Sequence, residues 1–509
     1  MEDPNPEGFT EPPPIPELVE KDRKAGWWAW PLIVLSIAYI VFQTQNQPAE
    51  SEAGVIGEVN EDGQIYVTPA TDLAILKVQG KLAVGISMAN PVQSQQTVNQ
   101  LEAAVTSDTT AFAVAALHRF VNFNGKGMTK AEATLDKRRK SAGANPEYLE
   151  RVWQALSAGV SEKEREAWSK QIGWFGSILP EDAEGTVPNR AKIQSEGLFV
   201  AGLMTTAMGM GFLGGFVGLA LLITALVMRS NGKFSTRFTA FQQPAGVFLE
   251  AFAIYLTLMA LTDLLGIYLE KNGPEVDDAF QVIDLTYFLP QVCFVAAFVI
   301  GLFWPCARGL GRKRIFQLLG IHRGQGIGRE ILAGFVGYLA MIPVAALGMV
   351  VTFILMLAVG IDATGLSAQE GVDAEPAAIE STDQAEDVAS PIPAAPSHPA
   401  AEWVAIGGWK MKLFVFVLAA IIAPLFEETM FRGALFRAFR SRWGFIVSAL
   451  IGGFIFAIIH PQGWLAAPAL TAMGVGFAVI REWRDSLIAP MVAHAVNNGL
   501  IVGGLVLVL

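Results

Sequence analysis

The sequence predicts an all-α polytopic membrane protein with about nine transmembrane helices and an additional soluble α+β region. Three observations carry that reading. Of 509 residues, 52% are hydrophobic and only 16% charged, and the mean hydropathy is +0.42, too apolar for a soluble chain of this length. The apolar residues fall in blocks, several of them longer than the roughly 18 to 20 residues that a helix needs to cross a bilayer. The connections between blocks alternate between basic and acidic, as loops on opposite sides of a membrane do.

Residues 1–26 are polar, with Pro12, Pro13, Pro14 and Pro16 among acidic residues, followed by Lys21, Arg23 and Lys24. A cytoplasmic disordered tail is expected there. The run at 27–42 opens with Trp27, Trp28 and Trp30, residues that favour the membrane interface, and reads as a transmembrane anchor. Residues 43–195 are mixed in character and are expected to form a soluble, extracytoplasmic region. Alternation near GQIYV and the run LAILKVQGKLAVGIS suggest strands, and from about Thr129 to Ser177 the pattern turns helical. No chemistry is assigned to this region. The membrane helices of 196–360 are expected at 198–228, 245–270, 285–305 and 331–360. An acidic, Ala- and Pro-rich linker at 361–404 has too little apolar surface to fold alone. It precedes the last block, 405–509, with spans expected at 411–430, 445–460, 465–480 and 486–509.

The short connections set an orientation. Arg229, Lys233 and Arg237, then Arg308 through Arg329, then Arg432, Arg437, Arg440 and Arg442, and finally Arg481 and Arg484 mark cytoplasmic loops. Residues 272–284 and 361–402 are acidic and belong outside. A net charge of −11 excludes a nucleic-acid partner, which needs concentrated Lys and Arg. Cys293 and Cys306 lie about 20 Å apart along one helix, beyond disulfide reach.

The last hundred residues hold an unusual polar set. An ionisable group inside a bilayer is costly and therefore reads as functional by default. Glu427 and Glu428 sit side by side in an apolar helix, and Arg432 follows Glu428 at i+4 in the favourable order for an ion pair. On a regular helix Glu427 points about 100° away from Glu428. Phe456 and His460 share one face of the next helix, and His494 and Asn498 share one face of the last. At 1.5 Å per residue, Glu427, His460 and Asn498 all fall about 18 to 22 Å from the ends of their helices, in one membrane layer.

These elements, Glu-Glu-x-x-x-Arg at 427–432, Phe-x-x-x-His at 456–460 and His-x-x-x-Asn at 494–498, resemble the signature of the CPBP family. That family comprises the CAAX-prenyl-protease and bacteriocin-processing membrane proteases, also called Abi, and the resemblance covers roughly 405–509. It implies a CPBP-type helical core and an intramembrane endopeptidase that cleaves a membrane-associated protein or peptide. By the resemblance, Glu427 is the base that activates water, His460 assists, and His494 and Asn498 stabilise the oxyanion. Glu428, Arg432 and Phe456 would support them. Members described as metalloproteases leave a Zn²⁺ site on Glu427, His460 and His494 as an open alternative, although the H-E-x-x-H spacing is absent. The expected location is a bacterial cytoplasmic membrane.

The competing readings are a purely structural polar set and a catalytically silent scaffold acting through 43–195. Keeping a base and oxyanion donors at one depth favours the enzyme. Glu250 and Asp263 also fall within an apolar span, and a structural role is favoured for both, with no partner evident in the sequence. Gly211, Gly214, Gly215 and Gly218 have the spacing of close helix packing.

Overall fold

The computed structural model describes residues 26–46, 54–59, 65–141, 143–233, 235–238, 245–272, 285–359, 403–404 and 408–509. Apart from Gly26, Trp403 and Val404, the tail at 1–26 and the linker at 361–404 lie outside the described residues. In chain order the elements are α1 (Ala29–Asn46), β1 (Gly54–Val59), β2 (Ile65–Pro69), α2 (Ala70–Ile86), α3 (Pro91–Gln100), α4 (Asp108–Val121), α5 (Gly127–Arg139), α6 (Pro146–Ala158), α7 (Glu162–Ile172) and α8 (Arg190–Ser230). The next four helices are α9 (Ala245–Asn272), α10 (Leu285–Ala307), α11 (Arg312–Leu319) and α12 (Ile327–Ala358). The last are α13 (Trp409–Arg440), α14 (Phe445–Ile458), α15 (Ala467–Arg484) and α16 (Ile488–Val508). The residues divide into two units, one of Met1–Gln45, Gly218–Met349 and Ala420–Asn497, the other of Asn46–Val217, Val350–Ala419 and Asn498–Leu509.

Among the described residues six helices are long and apolar enough to cross a membrane, or seven if the bent pair Val292–Ala307 and Arg312–Leu319, at 117°, is one span. The chain is an integral membrane protein. The expected nine included α1 and α14, whose apolar stretches Ala29–Gln43 and Phe445–Ile458 are shorter. At 1.5 Å per residue they cover about 20 Å, less than the roughly 30 Å of hydrocarbon.

The second unit contains the described residues of 46–195, and their helical character begins earlier than the sequence suggested. Only β1 and β2 are strands among its described residues, paired antiparallel with Val55 opposite Thr68. The run LAILKVQGKLAVGIS forms α2 instead of a strand. Its buried positions Leu73, Leu76, Gly80, Ala83 and Val84 recur at three to four residues, which is a helical period. Gly80 leaves room for Leu117 and Trp174. Helices α3 and α6 start with an Asn cap followed by Pro, and Ser107 and Ser161 close capping boxes on α4 and α7. The expected boundary at 195 falls inside α8, whose Ile193 joins the buried core of α2–α7 and whose Gly197 packs on Gly85.

The first unit is built around α9 and α13. Phe248, Leu249, Phe252, Tyr255 and Leu256 are all buried, so the first turns of α9 are enclosed on every side. The gap between α14 and α15 is set by two glycines: a Cβ on Gly474 would lie 2.7 Å from the Cα of Gly453. Gly218 meets the Leu339 carbonyl in the same way, whereas Gly211 and Gly215 have no neighbour within 4 Å.

The four basic connections meet at one end of this unit. Arg484 pairs with Glu330 at 2.7 Å, Arg440 with Glu482 at 2.8 Å, and Arg481 donates to the Leu319 carbonyl at 3.1 Å. The backbone amides of Arg237 and Phe238 donate to the Glu482 carbonyl. Glu250 acquires partners that the sequence could not name: it is fully buried and accepts from Trp28, Trp304 and the Gly26 amide, with Arg308 3.1 Å away. Asp263 accepts from Tyr39 at 3.0 Å. With Ser36 opposite Thr257, these contacts rise together along α1 and α9, so the two helices run in the same direction.

Candidate active site

Helix α13 is not a uniform α-helix. It widens into π-helix at Leu418–Ile422 and again at Glu428–Leu435. Bonds from i to i+5 put more residues in each turn, so neighbours are separated by less than the 100° of a regular helix. The two adjacent carboxylates, at the junction of a regular segment and the second wide one, reach one imidazole from its two sides. Glu428 Oε1 is 2.9 Å from His494 Nδ1, while Glu427 Oε2 is 3.8 Å from His494 Nε2 and 3.8 Å from His460 Nε2.

Glu428 and Arg432 form the expected pair at 2.9 Å, both nearly without solvent exposure. The remaining hydrogens of Arg432 are directed to the Gly474 carbonyl at 3.1 Å. Its guanidinium lies 4.5 Å from the ring centre of Phe456, 5.1 Å from Phe477 and 5.7 Å from Phe431. Three aromatic faces thus replace water around the cation. Phe456 does a second job: its carbonyl accepts from His460 Nδ1 and its ring packs against that imidazole at 4.2 Å. His494 stacks on Phe477 at 4.8 Å.

The hydrogen bonds fix the tautomers. A carbonyl accepts from His460 Nδ1, and an Arg-paired carboxylate accepts from His494 Nδ1, so both Nδ1 atoms carry hydrogen. In the neutral rings both Nε2 atoms then present lone pairs toward Glu427. Glu427 Oε2 is itself buried without a hydrogen-bond partner, as is Glu428 Oε2. Asn498 lies one turn beyond His494 on α16 and belongs to the second unit, where its amide donates to the Ala419 carbonyl at 2.9 Å. That carbonyl lies in the first π segment.

The donor set of Glu427, His460 and His494 is chemically suited to Zn²⁺, and Glu428 on His494 Nδ1 is the kind of outer partner that such a ligand has. As placed, however, no three His, Cys, Asp or Glu side chains among the described residues have the geometry to hold a metal ion. Sequence reasoning missed Gly453, Gly474 and Phe477, which set the depth and enclosure of the site. Their only sequence signal is small and aromatic residues within apolar runs.

Residues 409–500 match the model of the type II CAAX prenyl endopeptidases of the Rce1-like kind. The C-terminal segment is Rce1-like. Relatives include the membrane-embedded CAAX protease MroQ of Staphylococcus aureus (strain USA300), 33% identical over 110 residues, which cover 20% of this chain and 44% of that protein. The putative membrane peptidase YdiL of Bacillus subtilis (strain 168) is 32% identical over 87 residues, 17% of this chain and 35% of the relative. An uncharacterised 24.3 kDa protein of Escherichia coli is 37% identical over 89 residues, 16% and 41% of the two chains. The chain thus spans less than half the length of each of these relatives. No solved structure matches it significantly. The Rce1-like segment contains Glu427, Glu428, Arg432, Phe456, His460, His494 and Asn498.

Proposed function

We propose that this protein is an intramembrane endopeptidase of the cytoplasmic membrane, hydrolysing peptide bonds of a membrane-associated protein or peptide at Glu427. One observation carries the reading: Glu427 Oε2 stands 3.8 Å from the Nε2 atoms of both His460 and His494. That distance is too long for a direct hydrogen bond. The unpartnered Glu427 oxygen, with an imidazole nitrogen on either side of it, can accept a hydrogen from a water molecule held at that point.

The chemistry follows from those groups. Glu427 takes a proton from water as its oxygen adds to the scissile carbonyl, and His460 Nε2 holds the water's second hydrogen. Glu428 keeps His494 in one tautomer and one orientation, and Arg432 holds Glu428. His494 and Asn498 are proposed to stabilise the tetrahedral intermediate; for His494 this requires a proton on Nε2, which the imidazolium form supplies. The substrate class is proposed by likeness to the CAAX proteases, and the apolar surround of the site fits a substrate that reaches it from the membrane.

The test is Glu427→Gln, which keeps shape and removes the base. Mass-spectrometric mapping of new protein N-termini in membranes of expressing cells should show sites present with the parental chain and absent with the variant. Purified protein should lose cleavage by about a hundredfold or more, the range of a positioned general base. Equal cleavage by both forms would refute the mechanism.

A further inference from the structure

Helix α8 changes character within one turn. Its start carries Arg190, Lys192 and Glu196, and from Gly197 to Met228 no charged residue interrupts the run. The chain passes there from water into the bilayer. Beside that turn lies a hollow of about 300 Å³, lined by Lys81 of α2, by Ser195, Glu196, Phe199 and Val200 of α8, and by Leu507 of α16. Gly85 and Gly197 bring α2 and α8 together at its edge, since a Cβ on either would strike the backbone of the other.

The lining is divided by charge and by depth. Lys81 Nζ donates to the Val508 carbonyl at 2.9 Å, and Lys77, one turn earlier on α2, donates to the Leu509 carbonyl at 2.7 Å. An ammonium carries three hydrogens, so Lys81 keeps two for an anion. Burial lowers the pKa of this ammonium from its ordinary value, a cost that an anionic partner offsets. Ser195 gives its hydroxyl hydrogen to the Lys192 carbonyl at 2.7 Å and is left, like the Glu196 carboxylate, to accept. One turn further, about 6 Å along α8, Phe199 and Val200 line the hollow together with the exposed Leu507. The headgroup layer of a bilayer is roughly 5 to 7 Å thick on each side. Within that depth the hollow offers a cation, then an anion with a second acceptor, then an apolar wall.

We propose that this hollow binds a phospholipid with a primary-amine headgroup of the ethanolamine kind. Its phosphate meets Lys81, its ammonium lies between Glu196 and Ser195, and an acyl chain follows Phe199 and Leu507 into the bilayer. Charge complementarity selects this occupant. A headgroup with phosphate alone sets an anion beside Glu196, and a quaternary amine has no hydrogen to give to Glu196 and Ser195. A lipid seated there touches α2, α8 and α16 at once, and so ties the helices that precede the membrane spans to the spans themselves. The proposal does not depend on the protease reading.

The experiment is native mass spectrometry of the full-length protein released from detergent micelles. The probes are phosphatidylethanolamine, phosphatidylcholine and phosphatidylglycerol with identical acyl chains. The first phosphatidylethanolamine should bind about tenfold tighter than either of the others, the lower range for one hydrogen bond to a charged group. Glu196→Gln keeps the shape and should bring phosphatidylethanolamine within about twofold of phosphatidylcholine, whereas Lys81→Met should weaken all three lipids by about tenfold. Unfolding midpoints of both variants are measured alongside; if Lys81→Met lowers its midpoint, Glu196→Gln alone decides. Equal affinity of the parent for the three lipids overturns the proposal. Tightest binding of phosphatidylglycerol reduces the site to a cationic patch and overturns it as well. An ethanolamine preference that survives Glu196→Gln places the lipid elsewhere, and a dimer that binds no lipid and dissociates in Glu196→Gln seats a second copy of the chain there; either result refutes the assignment.

Discussion

Replacing Glu428 by Gln separates the two adjacent carboxylates by their work. Glu428 is fully buried, and its Oε1 accepts from Arg432 Nη1 and His494 Nδ1, each at 2.9 Å. A bond to a charged group contributes about 1.5 to 3 kcal/mol and a neutral one about 0.5 to 1.5, so neutralising the shared acceptor weakens the two by roughly 2 kcal/mol together. The variant also strands the Arg432 cation among Phe431, Phe456 and Phe477 with only the Gly474 carbonyl. Breaking one side of a buried pair costs about 3 to 5 kcal/mol in full, so about 3 kcal/mol is expected for the isosteric amide. That is roughly a 150-fold loss in the folding equilibrium.

The assay is reversible unfolding in mixed micelles, followed by tryptophan fluorescence, beside Glu427→Gln and the double variant Glu428→Gln/Arg432→Met. Glu427 Oε2 has no hydrogen-bond partner, so Glu427→Gln should stay within about 0.5 kcal/mol of the parent. The double variant should recover more than half of the loss, because an apolar side chain of similar length no longer needs a counter-charge. Equal destabilisation by the two single variants would refute the division of roles, and so would an unaffected Glu428→Gln.

Gly474→Ala should cost about 1 to 3 kcal/mol by overpacking and should also slow cleavage, because its Cβ would press on the Gly453 backbone 2.7 Å away while its carbonyl holds Arg432; the same unfolding assay and kcat measure both. Burial holds the His118 pKa below its ordinary value against the opposing charge of Glu102. A base with a lowered folded pKa keeps its full contribution above the unfolded value near 6.5 and loses it as pH falls toward the folded one. The opening free energy of α4, from hydrogen exchange corrected for the intrinsic rate at each pH, should therefore fall as the pH drops below about 6.5, and His118→Gln should remove that dependence. A cysteine at Ser381, outside the described residues, should react with an impermeant reagent in intact cells, and protection there would reverse the proposed orientation.

Much of the membrane body was legible because each span advertises itself by length and apolarity, and the site because charges in such spans have few alternatives. Glu427, Glu428, Arg432, His460 and His494 stand out of apolar runs for that reason. What sequence spacing could not show is the widening of α13 from Glu428 onward, or that the two neighbouring carboxylates meet opposite nitrogens of one imidazole. Hydrogen-bond register is decided by what packs against the helix, not by the local residues alone. The same limit hid the partners of Glu250, since Trp28 and Arg308 are distant in sequence and the tryptophans read equally well as interfacial anchors. LAILKVQGKLAVGIS was ambiguous because its β-branched and apolar residues suit a strand while its three-to-four-residue period suits a helix. Burial against Leu117 and Trp174 decides for the helix.

The arginines at the end shared by Glu330, Asp485 and Glu482 carry two roles that sequence treats as one. Lys and Arg in short connections bias orientation while the chain inserts, before any tertiary contact exists. In the folded unit Arg437, Arg481 and Arg484 are buried and satisfied by the Leu318 and Leu319 carbonyls, Asp485 and Glu330. Their charge therefore cannot be counted as a free basic surface, and the orientation needs support that does not depend on it. Helix direction provides some. Helices α1 and α9 run parallel, joined by Trp28 to Glu250, Ser36 to Thr257 and Tyr39 to Asp263. The starts of α1 and α9 must then lie on the same side, and in the sequence each follows a basic segment, Lys21, Arg23 and Lys24 before α1 and Arg229, Lys233 and Arg237 before α9. Charge counting assigns both to the cytoplasm independently, and a reversed chain would have to place both basic segments outside at once.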